Sequence, residues 1–157
     1  MILISSALTS SNIFQNGWDN IFSIINELPD PENRNKKWVF SAFPDTYVED
    51  SSGNLIKEAY PLLIVKPFDI SNYRPVSLKG VKEITLPLEI QIYTIKSLQL
   101  DTIGDDIFDS LEDNEDTLFS NGLKDMKIIR SSYAPIERGG VKIHLRATVY
   151  GFTFDVM

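Results

Sequence analysis

The sequence contains no cysteine and only one histidine, His144. The absence of cysteine excludes a disulfide framework, a cysteine-bound zinc and a thiol nucleophile. His144 has no second histidine or cysteine to join it in a metal or catalytic set. It shares a predicted strand face with Lys142 and Arg146, so we expect it to point to solvent. The sequence also lacks the short motifs of hydrolases, phosphate-binding loops and zinc peptidases. No catalytic, metal-binding or cofactor-binding residue is therefore predicted, and we expect a protein that is not an enzyme.

Basic charge and long apolar runs are also scarce. Fifteen lysines and arginines stand against 22 acidic residues, which gives a net charge of −7. This balance argues against general nucleic-acid binding, because phosphate contacts need clustered cations. No stretch approaches the roughly 20 apolar residues of a membrane span, and residues 1–10 lack the basic start of a signal peptide. We expect one domain over residues 1–157 that buries a core without a metal or disulfide, in a soluble intracellular protein or a particle assembled inside a cell.

The most ordered pattern in the sequence is a predicted amphipathic helix over residues 98–118. Its apolar positions recur at spacings of three, four, four and seven, which place them in one stripe: Leu100, Ile103, Ile107, Leu111 and Leu118. Eight carboxylates lie between residues 101 and 116, with no lysine or arginine among them. Four of these are predicted to cluster opposite the stripe: Asp105, Asp109, Glu112 and Asp116.

This acidic face has two interpretations. It is either a solvated surface that keeps the helix soluble or a surface with a task of its own. Like charges three or four residues apart each cost a few tenths of a kcal/mol, so the face is retained against a penalty. A surface of one sign repels DNA that passes nearby, or meets a basic partner.

Alternating and continuous apolar runs predict the strands. Residues 84–95 alternate and predict a half-buried strand. Residues 60–68 contain four consecutive aliphatic residues and predict a strand covered on both faces, with Pro61 and Pro67 at its ends. A short strand is predicted at residues 38–43, and a small hairpin around a turn at 50–54. Residues 71–83 are predicted to be a polar excursion.

The two ends of the chain complete the architecture. Residues 12–28 predict a first helix that stops at Pro29, with Gly17 inside it for close packing against a neighbour. Residues 126–134 and 141–156 predict a long hairpin. The apolar positions of its second strand change phase, which requires either an irregularity or a change in what covers the strand. Gly151 marks the expected position of a bulge. A strand of this length spans about 50 Å, so part of it is expected to reach a neighbouring subunit.

The predicted fold is α+β, with a mixed or mainly antiparallel sheet flanked by two helices and a long C-terminal β-hairpin. This order of elements resembles the tail terminator (tail completion, head–tail joining) proteins of long-tailed bacteriophages. The resemblance rests on residues 60–65, on residues 86–93 running into the helix at 98–118, and on the closing strand at 141–156. It implies a ring, commonly of six subunits, that ends growth of the tail tube and then joins the tail to the head.

The resemblance also implies the partners and the place of the protein. The partners would be other copies of the chain, the tail tube protein and a head-completion or connector protein. DNA would pass through the lumen without specific binding, and the acidic face would point into that lumen: Asp105, Asp109, Glu112 and Asp116. The protein would belong to the tail or neck of a virion assembled in the host cytoplasm. Two alternatives stay open, another neck or tail-tube ring component, and a small soluble ligand-binding module or enzyme.

Overall fold

The computed structural model describes residues 10–69 and 83–155. Within them lie four α-helices: α1 (Ser10–Asn26), α2 (Asp45–Val48), α3 (Ser97–Asp113) and α4 (Glu115–Ser120). The same residues form five strands: β1 (Val39–Phe40), β2 (Leu62–Val65), β3 (Glu83–Thr94), β4 (Leu123–Arg138) and β5 (Val141–Asp155). The strands make one sheet in the order β1-β2-β3-β5-β4, in which β1 and β2 are parallel and the other pairs antiparallel. This confirms the predicted α+β class and the long C-terminal hairpin.

One face of the sheet is covered by α1, α3 and α4, which we call the helix layer. All five residues of the predicted apolar stripe are buried between these helices and the sheet. The alternating residues of β3 meet the stripe from the sheet side, and so do aromatic residues of β5: Leu86, Leu88, Ile90, Ile92, Phe152 and Phe154. The two periods read from the sequence, 3.6 for the helix and 2 for the strand, therefore match the main core.

The opposite face of the sheet carries a second, smaller apolar cluster at one end: Val48, Ala59, Tyr60, Leu62, Ile64 and Ile143. Strand β2 lies between the two clusters, because Leu63 and Val65 face the helix layer whereas Leu62 and Ile64 face the second cluster. All four residues of β2 are buried, which confirms the predicted strand covered on both faces.

The acidic segment is not one helix, as predicted, but two. The break falls at Asn114, whose side-chain amide donates a 2.7 Å hydrogen bond to the carbonyl oxygen of Ser110. An asparagine competes for helix carbonyls in this way, which favours a helix end over a helix interior. The buried side chain of Leu118 is therefore supplied by α4 and not by a continuation of α3.

The segment before β2 also differs from the prediction. The predicted strand at 38–43 is reduced to Val39–Phe40, and residues 47–48 lie in α2. The predicted small hairpin is reduced to one antiparallel bridge between Glu49 and Leu55. The predicted turn at 50–54 is present, since the Asp50 carboxylate accepts hydrogen bonds from the backbone amides of Ser52 and Asn54. The predicted polar excursion at 71–83 lies outside the described residues except for its last residue, where β3 begins.

The closing hairpin turns at Gly139 and Gly140, both of which have positive φ, as a two-residue turn between twisted strands requires. The bulge predicted at Gly151 is wrong, because β5 pairs with β3 without interruption. The irregularities lie in β4, between Lys124 and Lys127 and between Ile128 and Arg130. They account for the glycine, because a Cβ at position 151 would stand 3.0 Å from the Cδ1 atom of Ile129.

The phase change along β5 reflects a change in what covers the strand. Near the turn, Ile143 faces the second cluster. Toward the end of β5, Tyr150, Phe152 and Phe154 face the helix layer. The strand itself stays regular. Its buried face changes once, from the face that meets the second cluster to the face that meets the helix layer.

Gly17 and Gly104 offer a matched test of helix packing. A Cβ at Gly17 would lie 2.9 Å from the ring of Phe154, whereas one at Gly104 would meet only Ile92 at 3.8 Å. We expect Gly17→Ala to lower the free energy of unfolding by about 1–2 kcal/mol, because the overpacking exceeds the gain in helix propensity. Gly104→Ala should raise it by up to about 1 kcal/mol. Urea unfolding of the two variants measures both values, and equal stability would contradict the close packing.

Candidate functional site

The helix layer presents a surface of a single charge sign. All eight carboxylates between residues 101 and 116 are exposed, and α1, α3 and α4 contain no lysine or arginine. One of the eight forms an ion pair, since Asp101 accepts a 2.9 Å hydrogen bond from Arg146 of β5. The acidity predicted from the sequence is therefore a property of the outer surface and not of the core.

The contacts of α3 divide this surface into two flanks. Asp101 marks the flank nearest β5, and residues four and eleven positions later, Asp105 and Glu112, fall on the same side. Gln99 marks the other flank, because its amide donates a 2.6 Å hydrogen bond to Glu32 in the loop after α1. Residues seven and fourteen positions after Gln99 continue that flank: Asp106 and Asp113.

The four predicted site residues are therefore only partly brought together. Asp105 and Glu112 share the flank nearest β5, and Asp109 lies on the crest between the flanks. Asp116 lies beyond the break, on α4. All four side chains are exposed.

Strand β4 is a second surface that the sequence only partly indicated. It is an edge strand of 16 residues, and every residue from 127 to 135 is exposed. Its other edge pairs with no strand in the described part of the chain. Three large apolar side chains on it are each 48% exposed: Ile128, Ile129 and Tyr133. Exposure of this kind over a long strand is typical of surfaces that bind another polypeptide.

The hairpin differs in charge from the rest of the molecule. Residues 123–155 contain six lysines and arginines and three acids, a net of +3 with His144 neutral, in a chain whose net charge is −7. Lys127 and Arg130 are exposed and form no ion pair within the described residues. Neither the size nor the placement of this basic surface was predicted, because single lysines and arginines scattered along a strand give no sequence motif.

His144 contacts a neighbour across the hairpin instead of pointing freely to solvent. Its Nδ1 atom lies 2.7 Å from the Tyr133 hydroxyl, and the two rings stack with centroids 5.8 Å apart. Among residues 10–69 and 83–155 no group of three or more histidines and acids is placed to hold a metal ion. The pair thus acts as a cross-strand contact between β4 and β5.

A cavity of about 300 Å³ lies beside the second cluster, with mainly apolar walls: Phe43, Asp45, Tyr60, Tyr93, Ile136, Arg138 and Ile143. Burial raises the pKa of the Tyr60 and Tyr93 side chains, so both stay neutral at physiological pH. The one cation on its wall, Arg138, is held by Glu49 at 2.6 Å. The positive charge on the wall is therefore already paired within the chain.

None of the described helices is both long and apolar enough to cross a membrane. Neither the comparison with models of known protein families nor the comparison with curated proteins finds a match to this sequence. Two surfaces of the described residues are candidates for function, the acidic helix layer and the exposed basic hairpin.

Proposed function

We propose that this chain is a structural subunit of a ring at the top of a bacteriophage tail, where it ends growth of the tail tube and joins the tail to the head. The observation that carries the proposal is the exposure of β4 on both faces from residue 127 to residue 135. A strand of this length without cover in a single copy favours burial against other subunits. The proposed partners are further copies of the chain, the tail tube protein and a head-completion or connector protein, within the tail or neck of the virion.

In this proposal the acidic face lines the channel through which DNA passes. Asp105, Asp109, Glu112 and Asp116 would face the lumen of the ring. DNA carries one negative charge per about 1.7 Å of helix axis, so a lumen of the same sign lets it pass without adhering. The exposure of all four carboxylates is consistent with this orientation.

The proposal predicts that the purified protein assembles. We expect native mass spectrometry to show a closed oligomer, most simply of six copies, and negative-stain images to show rings with an open centre. A chain that stays monomeric at high concentration, and also beside tail tube protein, would contradict the proposal and favour a ligand-binding module. A density map of the ring that places the four acidic residues on its outer rim would contradict the lumen assignment alone.

Deletion of the gene separates a terminator from another ring component of the neck. Loss of a terminator should give tails of uncontrolled length, whether or not they join heads. Loss of a head-side neck protein should leave tails of normal length. Electron micrographs of the lysate measure tail length and head attachment in one experiment.

A further inference from the structure

Strand β4 carries the features that prevent a sheet edge from accepting another strand. Lys127 and Arg130 place charge on it, Pro135 removes a backbone donor, and two irregularities interrupt its pairing. Each of these features blocks strand-to-strand addition. The occupant of this surface is therefore held by side chains on a face of the hairpin and not by main-chain pairing at its edge.

The face that offers those side chains points away from the helix layer. Lys127 lies opposite Gly151, and Arg130 lies opposite Val149. The side chain of Ile129 reaches across Gly151 on the same face. Directly opposed residues share a face of the sheet, and residues 150, 152 and 154 of β5 occupy the helix side. The exposed hairpin face thus combines an apolar side chain with two cations that form no ion pair among residues 10–69 and 83–155.

The charge of this face selects an acidic occupant, and the chain itself contains one. Helices α3 and α4 of the helix layer carry eight carboxylates and no cation, and the layer covers the opposite side of the sheet. Each surface also has exposed large apolar side chains: Leu98 and Phe119 lie on the helix layer, and Ile129 lies on the hairpin face. Ile128 and Tyr133 are opposite Tyr150 and Arg146, so they point to the helix side of the sheet. Front and back of one molecule are thus complementary in charge and both partly apolar.

We infer that copies of this chain associate front to back, with the basic hairpin face of one copy on the acidic helix layer of the next. A contact between two different surfaces is heterologous and closes into a ring or continues as a filament, whereas pairing of like surfaces gives a two-fold dimer. Two hairpins placed face to face would bring Lys127 and Arg130 against their own copies, which repels. The charge distribution therefore disfavours the dimer.

The two flanks of α3 divide the acidic surface between two tasks. The contact is assigned to Asp106 and Asp113, on the flank nearest α1, and this assignment rests on the proposed lumen position of Asp105 and Asp109. The neighbour covers one flank and leaves the other open. A crest of exposed carboxylates separates them.

Charge reversal in matched pairs tests the contact. The variants are Lys127→Glu with Arg130→Glu on the hairpin, and Asp106→Lys with Asp113→Lys on the helix. We expect each pair to lower the oligomer population by more than about tenfold, because attraction at every contact becomes repulsion. The variant carrying all four changes should assemble again. The control is Asp105→Lys with Asp109→Lys, which alters the net charge equally and should keep the oligomer.

Sedimentation velocity at low and high salt measures the assembly, and circular dichroism verifies that each variant folds. The oligomer of the unaltered chain should weaken as salt rises. If the unaltered chain forms a ring that both reversed pairs retain, or that the four-change variant fails to restore, the front-to-back contact is overturned while the ring proposal stands. If the control pair destroys the ring and the Asp106 pair does not, the assignment of flanks is overturned. If the unaltered chain never assembles, both proposals fail.

Discussion

Phe154→Ala is expected to lower the free energy of unfolding by about 3–5 kcal/mol, the cost of removing a buried aromatic ring and leaving a cavity. Phe154 is 1% exposed, and its ring packs edge-on against Phe14 and Phe68 at centroid distances of 5.6 and 5.0 Å. It also fills the space left by Gly17 on α1. Contacts from three separate parts of the chain end on this ring, so the surroundings are poorly able to collapse into the cavity.

Urea unfolding at neutral pH measures the loss. Phe119→Ala is the matched control, because the same ring is removed from a side chain that is 65% exposed. That change should stay within about 0.5 kcal/mol of the unaltered chain. Similar losses in both variants would show that β5 does not pack beneath α1 as described.

Arg34→Ala is expected to lower the free energy of unfolding by about 2–4 kcal/mol. The Arg34 guanidinium donates to the Asp30 carboxylate at 2.7 and 3.0 Å and to the carbonyl oxygens of Glu58 and Pro61 at 2.9 and 2.7 Å. It thereby ties the loop after α1 to the start of β2. Its removal leaves the largely buried Asp30 carboxylate without its cation.

Arg34→Lys is the control for charge. A lysine keeps the positive charge but cannot reach two carbonyls and a carboxylate with one ammonium group, so it should recover only part of the loss. Complete recovery would mean that charge alone, and not the fork of hydrogen bonds, stabilises this loop.

The contact between Arg34 and Asp30 also makes the free energy of unfolding depend on pH. Burial alone would raise the pKa of Asp30, but hydrogen bonds from Arg34 and from backbone amides outweigh it, and the pKa lies below its usual value. A lowered folded pKa stabilises the protein above the unfolded pKa of about 3.9, and this contribution is lost as the pH falls through the folded pKa. Unfolding measured from about pH 5 to about pH 2.5 should therefore show a steeper acid loss in the unaltered chain than in Arg34→Ala.

Periodic burial is the part of this fold that the sequence predicts well. The stripe of α3 and the alternation of β3 were both correct, because each element buries one side against one layer. The prediction of strand β2 was also correct, since four consecutive aliphatic residues are all buried only where apolar clusters cover both faces of the strand. The turns at 50–54 and at Gly139–Gly140 follow from residues that adopt their geometry at little cost.

A helix break inside a continuous apolar pattern, and contacts that depend on distant parts of the chain, were not predictable. The break at Asn114 interrupts a pattern that continues through it, because Leu118 keeps the spacing of the stripe from a separate helix. For the phase change in β5 the sequence leaves a bulge at Gly151 and a change of covering open, and the second cluster on the opposite face shows that the covering changes. The candidate site was likewise only partly predictable. The acidity was visible in the sequence, but its division into flanks depends on Arg146 and Glu32, which lie far from α3 in sequence.

The two clusters also determine how the hairpin is held. At one end, Leu123 is buried under the helix layer. At the other, Ile136 packs on the second cluster, Arg138 binds Glu49 and Gly139 lies against Leu55. The exposed span of β4 is thus held in position at both ends, and between them its side chains are uncovered. A partner meets a surface whose position is set before binding, so little conformational entropy is lost when the contact forms.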